Sequence, residues 1–338
     1  MRTEPLPPLV QGFFSEFLVA RRNASHNTVL AYRDSLKLLL VFAADRVHRS
    51  VTNLRVEDVG PETVLAFLDH LEGERGCGIS TRNARLAAIR TFFGYVARQQ
   101  PAVAELCRRV VEIPAKKQDI KQPDYLERDE LDAIIAGIDR QTAIGRRDYA
   151  LLWLLYDTGA RVQEIVDLSV PALRLIAPEQ VRLRGKGRKE RLSPISPETA
   201  ALLRAYLEER GVTEDANVPL FTNRLGARLT RTGIARCIKR YANAAVARMP
   251  TLRDRRISPH TMRHTTAMHM LQSGTDLRVI SAMLGHASML TTHHYARIDL
   301  AMKRKALAAA TRSTPEDQSE QVPAWRREPT LLEWLERL

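Results

Sequence analysis

Arg161 and Glu164 stand three residues apart inside a run that otherwise reads as buried helix: Leu151, Leu152, Trp153, Leu154 and Leu155 precede them, and Ile165, Val166 and Leu168 follow. A guanidinium cannot shed its charge and is costly to bury unpaired. Glu164, one helical turn on, is its natural partner. Taken alone, an R-x-x-E pair of this kind reads most simply as a structural ion pair. What lies downstream decides whether it is more than that.

A chain of 338 residues suggests two domains. No apolar run approaches the roughly 18 residues of a membrane span, and the opening Met1-Arg2-Thr3-Glu4-Pro5 carries no apolar signal core. Cys77, Cys107 and Cys237 are scattered, which suits neither a disulfide framework nor a zinc cluster and points to a reducing, cytoplasmic setting. The net charge is +13, divided as +5 over residues 1–118, +10 over 119–311 and −2 over 312–338. A basic body with an acidic tail and no basic amphipathic anchor favours a polyanionic partner, DNA or RNA, over a membrane.

The first hundred residues read as helices throughout. Leu9 to Ala20 makes a short apolar helix. Ser25 caps a longer one, with Val29, Tyr32, Leu36, Leu39 and Ala43 on one face. Pro61 opens a third, and Ser80 caps a fourth whose buried face is Leu86, Ile89, Phe93 and Val96. Arg82, Arg85 and Arg90 sit elsewhere on that fourth helix, either on a solvated face or against phosphate, since a helix dense in Arg, Asn and Thr suits the major groove. Residues 113–123 are polar, basic and bounded by prolines, hence a linker, and Lys116 and Lys117 within it could lie along a polyanion.

Beyond the linker, Glu127 to Ile138 and Arg147 to Leu168 read as helices. Val181 to Arg184 and Glu190 to Ile195 alternate about a Gly-rich turn, which predicts two antiparallel strands. Helices follow over about Pro197–Arg210, Thr230–Ala247 and Pro259–Ser273, then one from Asp276 that Gly285 ends, one over Ala296–Ala310, and a last apolar turn at Leu331–Leu338. The result is a mainly α chain with a small antiparallel sheet.

Ser258 and Pro259 open a helix on which His260 and Arg263 share a face, close to backbone N–H groups that favour an anion. His264 lies four after His260, a spacing that could bind a metal, but an H-E-x-x-H site would need glutamate where Thr261 stands. Tyr295 follows His286 by nine residues. A phenol with a pKa near 10 needs help to act as a nucleophile. Two arginines and a histidine beside the same phosphate would supply it. Lys186 lies between two glycines at the tip of the hairpin, with Arg188, Lys189 and Arg191 crowding the same turn. No G-x-x-x-x-G-K-[ST] loop is present.

In this order, TGARVQEIVDL, GKGRKER, SPHTMRHTTAMHMLQSG and LGHASMLTTHHYARI resemble the signature segments of the tyrosine recombinases, the phage-integrase and Xer-type family. The match runs from about Leu126 to Leu300, with six functional positions in order. The resemblance implies a two-domain DNA clamp: a helical, SAM-like core-binding domain over 1–112, a linker over 113–123 and a catalytic domain over 124–311. The tail over 312–338 carries an apolar patch, Leu331, Leu332, Trp334, Leu335 and Leu338, suited to a groove on a neighbouring subunit or on its own. It implies that Tyr295 attacks a DNA phosphodiester to give a 3′-phosphotyrosyl enzyme and a free 5′-hydroxyl. Arg161 and Arg263 would clamp the non-bridging oxygens, and His286 would donate a further hydrogen bond. His260 would receive the tyrosine proton, Lys186 would protonate the leaving oxygen, and Glu164 would orient the cations. Arg82, Arg85, Arg90, Lys116, Lys117 and Arg188 are the candidate DNA contacts.

The implied partners are double-stranded DNA carrying specific sites and further copies of the chain, working as a tetramer, with a partner recombinase as an option. No metal, ATP or other cofactor is implied. The rival readings are a type IB topoisomerase, a DNA-binding relative that has lost catalysis, and a metal-dependent nuclease. The length of Arg248–Ile257 and of the tail tilts the reading towards a mobile-element recombinase.

Overall fold

The computed structural model describes residues 5–118, 124–185 and 189–285. The chain divides into two compact units, residues 1–121 and 122–338. Among the described residues, no helix is long and apolar enough to cross a membrane.

The first unit is helical. Helix α1 (Leu6–Gly12) runs directly into a π-helical stretch, Phe13–Arg21, so the expected single helix over Leu9–Ala20 changes winding midway. The rings explain what the wider turn accommodates: Phe13 is fully buried, stacks on Phe17 at 5.6 Å and meets Phe92 edge-on at 5.2 Å. Helix α2 (His26–Val47) starts where expected, with the Ser25 hydroxyl accepting from the Thr28 N–H at 3.3 Å. Its buried face carries Leu36, Leu39 and Ala43. Helix α3 (Pro61–Gly73) buries Val64, Phe67, Leu68 and Leu71. Helix α5 (Ala104–Glu112) closes the bundle.

Helix α4 (Ile79–Gln99) corrects two expectations. Its N-cap is Gly78, so Ser80 lies inside the first turn and caps nothing. Arg82 is not off the buried face: it stands four, seven and eleven residues before Leu86, Ile89 and Phe93, which puts it on the same stripe. It is accordingly only 4% exposed, and its Nε lies 3.4 Å from Glu72 Oε2. Residues 113–118 form neither helix nor strand. Their first residue, Ile113, is buried in the same core.

The second unit packs α6 (Arg128–Ala136), α7 (Ala143–Thr158), α8 (Val162–Asp167), α9 (Pro197–Glu209), α10 (Arg231–Ala245), α11 (Pro259–Gln272) and α12 (Leu277–Leu284) with a three-stranded antiparallel sheet. Leu151, Leu152, Leu154 and Leu155 of α7 are buried in its core, each contributing about 2 kcal/mol. The sheet runs β1 (Leu173–Arg174), β2 (Gln180–Arg184), β3 (Glu190–Pro194). The hairpin is where the alternation predicts it. The additional strand, β1, is two residues long and too short to show any periodicity. Thr251 and Arg255 both bond the carboxylate of Glu130, which ties the long α10–α11 connection to the start of α6.

The expected continuous helix over Arg147–Leu168 is instead two helices. Gly159 takes a left-handed conformation (φ +54°) and ends α7, and Arg161 becomes the extended N-cap of α8. The Thr158 hydroxyl helps the break, donating to Leu154 O at 2.6 Å and accepting from the Ala160 N–H at 3.2 Å.

Candidate active site

The break at Gly159 frees Arg161 from the helix wall and turns it towards α12. Its backbone N–H donates to Glu164 Oε2 at 2.9 Å, and its Nη1 donates to Glu164 Oε1 at 3.0 Å. Its Nη2 donates to Gly285 O at 3.1 Å. The Arg161–Glu164 ion pair is therefore real. What the sequence does not reveal is that the pair is built on a capping geometry and reaches a carbonyl 124 residues away.

Arg263 arrives from α11. The Ser258 cap that starts this helix forms as expected, accepting from the Thr261 N–H at 3.3 Å. Arg263 is 5% exposed; Nη1 donates to Gly159 O and Nη2 to Leu284 O, both at 2.7 Å. The two guanidiniums thus share one support, the end of α12, while Arg161 is held also by Glu164 of α8 and Arg263 by Gly159 O in the turn before it. Packing there is tight: a Cβ on Gly159 would lie 2.4 Å from Leu284 Cδ2. Helix α12 itself ends as expected at Gly285, with φ +63°.

The third support is Arg191, which sequence reading left in the crowd of cations at the hairpin turn. Its Nη1 and Nη2 donate to Glu164 Oε1 and Oε2 at 2.9 and 2.8 Å, and its Nε donates to Met283 O at 2.8 Å. Burial opposes ionisation of Glu164, but the hydrogen bonds from Arg191 and Arg161 outweigh it and hold the carboxyl below the ordinary range. The signal for Arg191 was register. Pairing of Leu183 with Arg191 puts Arg191 on the inward side of β3 and leaves the neighbouring Leu192 60% exposed, the reverse of what hydrophobicity alone suggests.

The hairpin brings its base to the same place. The Gly185 N–H donates to Lys189 O at 2.8 Å, and a Cβ on Gly185 would lie 3.2 Å from Glu164 Oε1. Gly185 immediately precedes Lys186 in sequence. His260 is exposed on the first turn of α11. His264, one turn on, is half-buried, and its pKa is pushed down to about 4, first by burial and then by the charges of His260 and Arg263. Among the described residues, no group of three or more His, Cys, Asp or Glu is placed to hold a metal ion. Lys186, Arg188, His286 and Tyr295 lie outside the described residues, as does the tail over 312–338.

The candidate DNA contacts of the first unit are placed unevenly. Arg82 is buried, with its Nε 3.4 Å from Glu72 Oε2 and its Nη1 donating to Asn83 Oδ1 at 3.1 Å, and Arg90 donates to Ile113 O. Arg85 is half-buried. The Lys116 backbone is gripped by Asn83, whose Nδ2 donates to Lys116 O at 2.8 Å, while the Lys116 side chain reaches Glu72. Lys117 is exposed.

Comparison with known proteins gives the family. Residues 124–302 match the phage integrase family, and residues 12–100 match the phage integrase N-terminal SAM-like domain. The chain is a tyrosine recombinase of the phage integrase family. It is 39% identical to a Sinorhizobium fredii protein named as an integrase/recombinase, y4rC, over 90% of this chain and 91% of that one. It is 34% identical to the tyrosine recombinase XerC of Pelobacter propionicus, over 88% and 93% of the two chains. The fold is shared with the XerH site-specific recombinase bound to difH DNA (TM-score 0.69, 22% identity, 85% of this chain and 81% of that one). It is shared also with the Tn1549 transposon integrase in complex with transposon right-end DNA (TM-score 0.68, 16% identity, 92% and 100%). As a member of this family the chain is a recombinase enzyme acting in DNA recombination and integration.

Proposed function

We propose that this recombinase cuts and rejoins double-stranded DNA at specific sites through a 3′-phosphotyrosyl intermediate, with Tyr295 as nucleophile. The observation that carries the reading is the meeting of Arg161 and Arg263, from elements about a hundred residues apart, at the end of α12, ten residues before Tyr295. Two guanidiniums held this way suit the non-bridging oxygens of one phosphodiester, where they neutralise charge as it develops. The bond from the Tyr295 oxygen to phosphorus forms as the bond from phosphorus to the 5′-oxygen breaks. The phenolic proton passes to His260, and Lys186 protonates the departing 5′-oxygen. His286 donates to the phosphate, and Glu164 holds the cations in place. One phosphoester replaces another, so no nucleotide hydrolysis is required.

Relatives with solved structures bind DNA as recombination substrates, which supports duplex DNA as the partner here. Assembly of four copies on two sites, with or without a partner recombinase, extends the same reading. So does docking of the apolar tail residues Leu331, Leu332, Trp334, Leu335 and Leu338 on a neighbouring copy. The long connection after α10 and the tail favour a mobile-element role.

The test is Tyr295→Phe. It is expected to bind DNA as the wild type does and to give no covalent complex that survives SDS. A covalent complex in that variant would move the nucleophile elsewhere. Relaxation of supercoils without site preference would favour the topoisomerase reading, and loss of wild-type activity in excess chelator would favour a metal nuclease.

A further inference from the structure

Arg191 is an arginine on the inward face of a strand whose paired neighbour, Leu183, is fully buried. Its side chain is only 13% exposed. Burying a guanidinium is costly unless it is paired and its donors are met, and here the charge is paired and each of its three nitrogens donates to the protein: two bonds to Glu164 and one to Met283 O. Those three bonds join β3, α8 and the last turn of α12. Glu164 in turn holds Arg161, and the carbonyls of Met283, Leu284 and Gly285 are taken in order by Arg191, Arg263 and Arg161. The fit around α12's end is close, since a Cβ on Gly285 would lie 3.1 Å from Arg191 Cδ and Nη1.

We propose that Arg191 is a positioning residue for strand cleavage. It locks Glu164 and the end of α12 together, and so fixes both the Arg161 guanidinium and the point from which the chain runs on to His286 and Tyr295. It does not itself serve the phosphate or the leaving group, because its Nε, Nη1 and Nη2 all face the protein and a guanidinium does not give up its proton. The inference rests on the recombinase reading above. Lysine cannot substitute, because a single ammonium lacks the planar fork that spans a carboxylate and a carbonyl at once.

The experiment measures covalent-complex formation in a single turnover on a nicked DNA substrate, at saturating DNA and well below the melting temperature, with the DNA Kd measured separately. Arg191→Gln is expected to slow cleavage about 100-fold, the scale of a misplacement of about 1 Å, with Kd unchanged. Arg191→Lys keeps the cation against Glu164 without the third bond, and is expected to slow cleavage at unchanged Kd as well; it carries the test should Arg191→Gln not fold. Combining Arg191→Gln with Glu164→Gln is expected to be no slower than the slower single variant, because both break one clamp.

A cleavage rate like that of the wild type in Arg191→Lys, or a loss that appears wholly in Kd or in the unfolded fraction, overturns the inference. A wild-type chain that forms no covalent complex overturns the recombinase reading and this inference with it. An active wild type beside an undiminished Arg191 variant overturns this inference alone.

Discussion

At the scale of single residues, the site is a set of charges kept in one state by their surroundings. Glu164 stays ionised because four hydrogen bonds, two of them from Arg191, outweigh its burial. His264 is the opposite case: burial and the nearby charges of His260 and Arg263 keep its ring neutral down to about pH 4. An unfolded chain takes up that proton below about pH 6.5, so the unfolded state binds more protons than the folded one in between. His264 therefore contributes stability in full above about pH 6.5 and loses it progressively as pH falls to about 4. His264→Gln should flatten the fall in the urea midpoint across that window. An unchanged slope would show that the ring is not the group titrating there.

At the scale of elements, the decisive feature is the joint between α7 and α8. Gly159 is required twice over, by its left-handed φ of +54° and by the 2.4 Å approach that a Cβ would make to Leu284. Gly211 supplies the comparison: its φ is +61°, but nothing lies within 4 Å of a Cβ there. Gly211→Ala should cost only the backbone penalty, about 1 kcal/mol. Gly159→Ala should cost about 2–4 kcal/mol in chemical denaturation, as strain and overpacking add. It should also slow cleavage, since Arg263 bonds Gly159 O and Arg161 lies two residues on. Equal costs for the two variants would mean that the joint is not tightly packed against α12.

At the scale of the whole molecule, the charge is divided between a basic body and a tail that is net acidic yet ends in apolar residues. A tail of that composition suits an apolar groove better than a phosphate backbone. Deleting residues 312–338 should leave binding of a single copy to one DNA site unchanged in gel shifts and weaken the complex in which two sites are brought together. Synapsis at the wild-type level after the deletion would place the tail on its own subunit.

The sequence by itself determined what depends on neighbours within a turn of the chain. Caps at Ser25, Ser258 and Asp276, the stop at Gly285, the apolar stripe of α4 and the hairpin about Gly185 could all be read there, because each rests on contacts between residues a few positions apart. So could the ordered set of candidate site residues. Only the tertiary structure decided that Arg82, already on that stripe by its spacing, lies beside Glu72, that the helix breaks at Gly159, and that Arg191 rather than Leu192 faces in. Each of those outcomes depends on a partner distant in sequence or on strand register. In each, a local preference yields to the cost of leaving a buried charge unmatched or a close contact unfilled.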